Sequence, residues 1–150
     1  MKVHVTHVQG LAFEVENEKG LRYFMDSETK EGRPGRGPKP MEMLLAALAG
    51  CTGMDVVSIL AKMREPFTSF TIDVEAERAD EHPKVFTSIV LTYNFEGLAD
   101  HEKALKAIRL SQEKYCSVGA MLRKACAYRY RVFFDGIEHY LSADQAGVES

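Results

Sequence analysis

Two cysteines stand where a thiol can do chemistry. Cys51 lies inside the apolar run MLLAALAGCTGMDVVSILAKM, residues 43–63. Cys116 lies in EKYCSVGAMLRK, where one helical pattern ends and another begins. The thiolate is the reactive form of cysteine, and two thiols so placed make a candidate redox pair. A helix starting at Cys116 would aim unpaired N–H groups and the positive end of its dipole at the sulfur, which lowers a thiol pKa. Lys114 and Arg123 are near it in sequence. Cys51, buried mid-helix, should instead have a raised pKa unless a cation is brought to it. Gly50 and Gly53 leave its surroundings uncrowded, so a substrate or a second backbone can approach. Each thiol also has a plainer reading, because free cysteine is among the most buried residue types and packs as a small hydrophobe. That reading fits Cys126, on the apolar side of a strand pattern.

The remaining composition narrows the chemistry. The chain has 150 residues, which suits one domain, and a net charge of −3, which favours neither nucleic acid nor an anionic membrane. Three cysteines without a CxxC pair and five histidines without HxxxH or HExxH give no metal-site spacing, so neither a metal nor a cofactor is expected. The start MKVHVTHV alternates like a strand and not like a signal peptide. Free thiols and a start that does not read as an export signal lead us to expect a cytoplasmic protein. Met43–Ala61 carries one charge, Asp55, and so is apolar enough to be weighed as a membrane span. A carboxylate near a bilayer centre is costly, and a helix buried on nearly all sides explains the run better.

The elements that must hold these residues follow from periodicity. Residues 2–9, 11–17 and 21–26 read as three strands, with turns at Gly10 and at Glu18–Gly20. Residues 27–40 are rich in glycine and proline and form a loop. Pro40 opens a helix that runs to about Lys62 and is stopped by Pro66; Glu42, near its start, is a favourable partner for the helix dipole. Residues 70–77 alternate, with Phe70, Ile72, Val74 and Ala76 on one face. A second strand follows, with Val85, Ile89, Leu91, Tyr93 and Phe95 in phase. Asp100 is a good N-cap for a helix over 101–114, with Leu105, Ile108, Gln112 and Tyr115 on one face. Cys116 or Ser117 begins a short third helix through Lys124. A strand from Cys126 to Phe134, a turn at Asp135-Gly136 and a strand at 137–141 complete the order, before a frayed tail over 143–150. The order βββ-α-ββ-αα-ββ is α+β, with an antiparallel sheet on one side of the long helix. A helix apolar on all faces needs a second cover, and the same helix of a partner would supply it, which predicts a homodimer.

GPKPMEMLLAALAGCTGMDVVSILAKMR around Cys51 and EKYCSVGAMLRKA around Cys116 together resemble the OsmC/Ohr family of thiol-dependent hydroperoxide reductases, and the likeness extends over nearly the whole chain. The resemblance implies an intertwined homodimer, antiparallel sheets packed around long central helices, and two active sites at the subunit interface. It implies that Cys51 attacks a small organic hydroperoxide and becomes a sulfenic acid, that Cys116 resolves it as a disulfide, and that a dithiol reductant, lipoyl type in the best-defined branch, restores the thiols. Two departures stand out. Peroxidase members carry a glutamate directly after the helix-opening proline; here that place is Met41, and Glu42 is one later. On a helix, Glu42 lies about 13.5 Å and half a turn out of phase from Cys51. Those members also use an arginine of the first hairpin, and this chain has none before Arg22. Arg36 is the substitute, with Arg22 and Arg33 behind it.

The expected function is therefore a cytoplasmic thiol peroxidase acting in oxidative-stress defence, with Cys51, Cys116, Glu42 and Arg36 as its site residues. The alternative is a ligand-binding or redox-sensing protein on the same fold.

Overall fold

The structure is a computed structural model and describes residues 1–28, 32 and 35–143. Arg33, part of the glycine- and proline-rich segment and residues 144–150 of the tail lie outside the described residues. Residues 1–46 and 47–150 form two compact units.

The N-terminal unit is a three-stranded antiparallel meander, β1 (Val3–Gln9), β2 (Ala12–Asn17) and β3 (Arg22–Met25). Gly10 turns β1 into β2 with φ +58°, a conformation that costs glycine little. Asn17 Oδ1 accepts from the N–H groups of Lys19 and Leu21 at 2.9 and 3.0 Å and shapes the second turn. Gly37 returns against the carbonyl of Phe24, where a Cβ would have no room.

The first turns of helix α1 (Pro40–Lys62) belong to this unit and the rest to the C-terminal unit. Glu42 Oε2 accepts from the Lys39 N–H at 2.8 Å, satisfying a donor at the helix start. At the far end, Glu65 N–H reaches Leu60 O and Arg64 N–H reaches Ala61 O, with Arg64 at φ +53°. This is the paired 6→1 and 5→2 bonding that closes helices, with an arginine in the place glycine usually takes.

The C-terminal unit continues with β4 (Ser69–Arg78), β5 (Phe86–Glu96), α2 (His101–Leu110), a π-helical turn (Ser111–Tyr115), α3 (Ser117–Leu122), β6 (Ala127–Phe134) and β7 (Ile137–Leu141). Its four-stranded sheet runs β4-β5-β6-β7. The order of elements matches the sequence expectation, and the fold is α+β. The sheet is mixed, however, because β5 pairs with β6 in parallel. A hairpin turn cannot make a parallel pair; the crossover through α2, the π turn and α3 makes this one.

Alternate residues of β5 and β6 face inward: Ile89, Leu91, Tyr93 and Phe95, and Tyr128, Tyr130, Val132 and Phe134, all buried. Ala104, Ala107 and Ile108 of α2 are buried with them. Asp100 caps α2 as expected, Oδ1 accepting from Lys103 N–H at 3.2 Å. Helix α1 buries Leu48, Thr52, Val56 and Leu60, one residue per turn. Within one chain it is covered along a single row, not on nearly all sides: Met54 is 77% exposed and Val57 41%. Among the described helices, α1 alone is long and apolar enough to cross a membrane by length and composition.

Candidate functional site

Helix α1 presents Cys51 and Asp55 four residues apart, hence on one face. Thr52, next to Cys51, turns into the core with no exposure. The second sulfur arrives through the π turn. Cys116 N–H donates to Ser111 O, five residues back, at 2.8 Å. This wide turn buries Ser111 and Gln112, ends with Cys116 inside, and rotates Tyr115 outward, 48% exposed. The sequence pattern of a regular helix over 101–114 puts Gln112 and Tyr115 on one face. The inserted residue breaks that phase, as π turns do, frequently at functional sites.

The sulfurs of Cys51 and Cys116 and a carboxylate oxygen of Asp55 lie within 4.8 Å of one another. All three cysteines are free thiols. Cys51 is half-buried and Cys116 buried. Cys116 caps α3 as expected, Sγ accepting from Gly119 N–H at 3.3 Å. Its thiol is nonetheless pushed up to about 12: burial is the largest cause, and Cys51 and Asp55 add to it. The Gly119 N–H pulls the other way and loses. The expectation that a helix start would lower this pKa is therefore reversed. Helix α3 is a six-residue stub, and desolvation outweighs one backbone donor. Gly119 permits the tight approach, since a Cβ there would stand 3.2 Å from Cys116 Sγ and 3.4 Å from the Tyr128 hydroxyl. Arg123 braces the same corner, with Nε donating to Gly119 O at 3.3 Å, Nη2 to Gln112 O, and the guanidinium 5.5 Å from the Tyr128 ring centre.

Behind the thiols runs a buried string of hydrogen bonds. Ser111 Oγ donates to Asp55 Oδ2 at 2.9 Å. Ser111 Oγ lies 2.9 Å from Thr52 Oγ1, which lies 2.7 Å from the Tyr93 hydroxyl. Gln112 Nε2 donates to Tyr93 at 2.6 Å and to Thr52 at 3.3 Å, and the Tyr128 hydroxyl donates to Gln112 Oε1 at 3.0 Å. A hydroxyl has one proton, so the directions are fixed. Ser111 spends its proton on Asp55, Thr52 donates to Ser111, and Tyr93 donates to Thr52. Every donor points along one line that ends on the carboxylate and holds its orientation. Burial pushes the Tyr93 and Tyr128 phenols well above their usual range, which keeps them protonated as donors.

Beside Asp55 opens a cavity of about 360 Å³, walled by Ile59, Met63, Leu110 and Tyr115, with Lys62 also lining it.

Of the residues expected from sequence, Cys51 and Cys116 are brought together. Glu42 and Arg36 belong to the N-terminal unit, each with a local partner. Glu42 caps α1. Arg36 N–H donates to Asp26 Oδ2 at 2.8 Å, and its guanidinium lies 5.2 Å from the Phe24 ring centre. Arg22 pairs with Glu16 at 2.9 Å. Cys126, just before β6, is buried, its thiol raised by burial and donating to Leu122 O at 3.6 Å, in keeping with a packing role. Asp55 was missed as a site residue. Its signal was the Cys-x-x-x-Asp spacing, which on a helix puts both groups on one face.

The family model described as OsmC-like protein matches residues 32–130. Protein YhfA of Escherichia coli K12 is 40% identical over 126 residues, 83% of this chain and 91% of that protein. A hypothetical protein from Aquifex aeolicus has a solved structure that superposes with a TM-score of 0.76 at 27% identity, covering 89% of this chain and 96% of that one. The structure described as an organic hydroperoxide resistance protein OsmC from Legionella pneumophila superposes with a TM-score of 0.63 at 18% identity, covering 88% and 96%, a likeness of fold. The chain belongs to the OsmC-like protein family.

Proposed function

We propose that this protein is a cytoplasmic thiol peroxidase that reduces small organic hydroperoxides in oxidative-stress defence. The observation that supports this most is the mutual approach of Cys51, Cys116 and Asp55 within 4.8 Å. A disulfide needs the sulfurs at about 2.05 Å, and a starting separation within 4.8 Å leaves a movement of less than about 3 Å to close it.

In the proposed cycle Cys51 sulfur attacks the terminal peroxide oxygen. The S–O bond forms, the O–O bond breaks, and the alkoxide takes up the proton that Cys51 loses, leaving an alcohol and a sulfenic acid. Asp55 carries that proton from thiol to leaving oxygen, a role for which the Ser111 hydrogen bond orients it. Cys116 sulfur then attacks Cys51 sulfur; the S–S bond forms, and hydroxide leaves with the Cys116 proton as water. A dithiol reductant reopens the disulfide by exchange. The half-buried Cys51 is the accessible member, and the buried Cys116 resolves. The organic group of the peroxide sits in the apolar cavity beside Asp55.

We further propose that the protein works as a homodimer. The uncovered face of α1, with Gly53, Met54 and Val57, joins Phe70 and Ile72 of β4 in an apolar depression of about 610 Å³.

Turnover of cumene hydroperoxide with a dithiol reductant tests the reading. Wild-type protein should consume peroxide and reductant in equal amounts, and Cys51→Ser should abolish it. Absence of turnover with lipoyl-type and other small dithiols would contradict it. The same assay on Arg36→Ala and Glu42→Gln decides whether either side chain serves the thiol in addition to its local structural role.

A further inference from the structure

We infer that the reduced site is a zinc site: Cys51 Sγ, Cys116 Sγ and an Asp55 carboxylate oxygen form a three-ligand cradle for one Zn2+ per chain. The three donors already lie within 4.8 Å of one another. A tetrahedral zinc ion with Zn–S of about 2.3 Å would separate its two sulfurs by about 3.8 Å, a spacing inside the 4.8 Å within which the three donors lie. Two thiolates and one carboxylate suit zinc and its softer relatives; magnesium and calcium take oxygen donors instead.

The surroundings fit a metal as well as the ligands do. Ser111 Oγ donates to Asp55 Oδ2, the outer-shell bond that orients a ligating carboxylate. Gly119 N–H donates to Cys116 Sγ, which steadies a ligating sulfur. Cys51 and Asp55 sit on one face of a long helix, and Cys116 is held by the π turn, so two of the three ligands share one rigid element. Of the three ligands, Asp55 also lines the cavity of about 360 Å³, from which water or a small anion could take the fourth position. Three protein ligands with an open fourth position is the pattern of a zinc that exchanges partners, not of a closed structural site. Sequence spacing could not reveal it, because the two sulfurs are 65 positions apart. Zinc occupancy and disulfide formation exclude each other, since both use the same two sulfurs. Zinc would therefore hold the thiols reduced and shielded, and oxidation would release it.

The inference does not depend on peroxidase activity, and its test does not either. Reduced, metal-free protein is titrated with Cd2+, whose bonds to thiolate absorb in the ultraviolet, and Zn2+ is then added as competitor. The expected result is one Cd2+ per chain, displaced by Zn2+, with Cys126→Ser unchanged. Cys51→Ser should lose about half of the absorption per bound metal, one thiolate of two. Asp55→Asn should keep that absorption but weaken binding by at least about tenfold, and Ser111→Ala should weaken it through the outer shell, by about ten- to a hundredfold. A silent titration, a requirement for Cys126, or Asp55→Asn binding as tightly as wild type would overturn the proposal. If Asp55→Asn does not fold, Ser111→Ala carries the same decision. Metal binding without hydroperoxide turnover would count against the peroxidase reading alone.

Discussion

Thr52→Val tests the buried string of hydroxyls that positions Asp55. Valine has nearly the volume of threonine, so the substitution opens no cavity and removes only the hydroxyl. Thr52 is fully buried, and its oxygen meets Tyr93 at 2.7 Å, Ser111 at 2.9 Å and Gln112 at 3.3 Å. Gln112 can still donate to Tyr93, and Ser111 can still donate to Asp55. The Tyr93 hydroxyl is left as a buried donor without an acceptor, which costs about 1–3 kcal/mol, and the lost Thr52–Ser111 bond adds about 1 kcal/mol. The total of about 2–4 kcal/mol should lower the urea midpoint by about 1–2 M at unchanged slope. Thr52→Ser keeps the hydroxyl and loses one methyl group, so it should cost about 1 kcal/mol. Chemical unfolding of the three proteins decides the matter. A valine variant within about 0.5 kcal/mol of wild type, or one more stable than the serine variant, would refute the network.

Gly119→Ala would place a Cβ 3.2 Å from Cys116 Sγ, and the displaced sulfur should close its disulfide with Cys51 more slowly in a stopped-flow thiol assay, at a stability cost of about 1–3 kcal/mol. Raising the pH should destabilise the fold from about pH 9 upward. The folded state holds the Cys116 proton up to about 12, against an ordinary 9.0, so its stabilising contribution is full below pH 9 and is lost as the pH rises towards 12. The raised phenols of Tyr93 and Tyr128 act in the same direction, and urea midpoints between pH 7 and pH 11 measure the decline. Met54→Lys, at a side chain 77% exposed, should leave the stability of a lone chain within about 0.5 kcal/mol but shift a dimer towards monomer in sedimentation at micromolar concentration. A wild-type protein that sediments as a stable monomer would remove the dimer.

Much of the fold was legible because its signals are local. The alternation from Phe70 to Ala76 gave β4, Pro40 and Asp100 marked the helix starts, and Asp135-Gly136 gave the last hairpin turn, with φ of 49° and 81°. The parallel pairing of β5 with β6 was not legible, because a period of two is the same for either direction. The π turn escaped because one inserted residue leaves the apolar pattern of α2 intact up to the point where Tyr115 rotates out. The thiol pair was legible from the two cysteine settings, but its pKa was not, since burial of Cys116 depends on packing from distant segments. Asp55 reads in the sequence as one charge in an apolar run, and only the approach of Cys116 from a distant segment makes it part of a site. Thr52, Tyr93, the Ser111–Gln112 pair and Tyr128 come from four separate elements, and no spacing in the chain joins them.

Peptide mapping of the reduced protein after one equivalent of an organic hydroperoxide tests the thiol pair most sharply. It should find a single dominant disulfide between Cys51 and Cys116, with Cys126 still a free thiol. A dominant bond to Cys126, or Cys51 and Cys116 both left as free thiols while the peroxide is consumed, would contradict it.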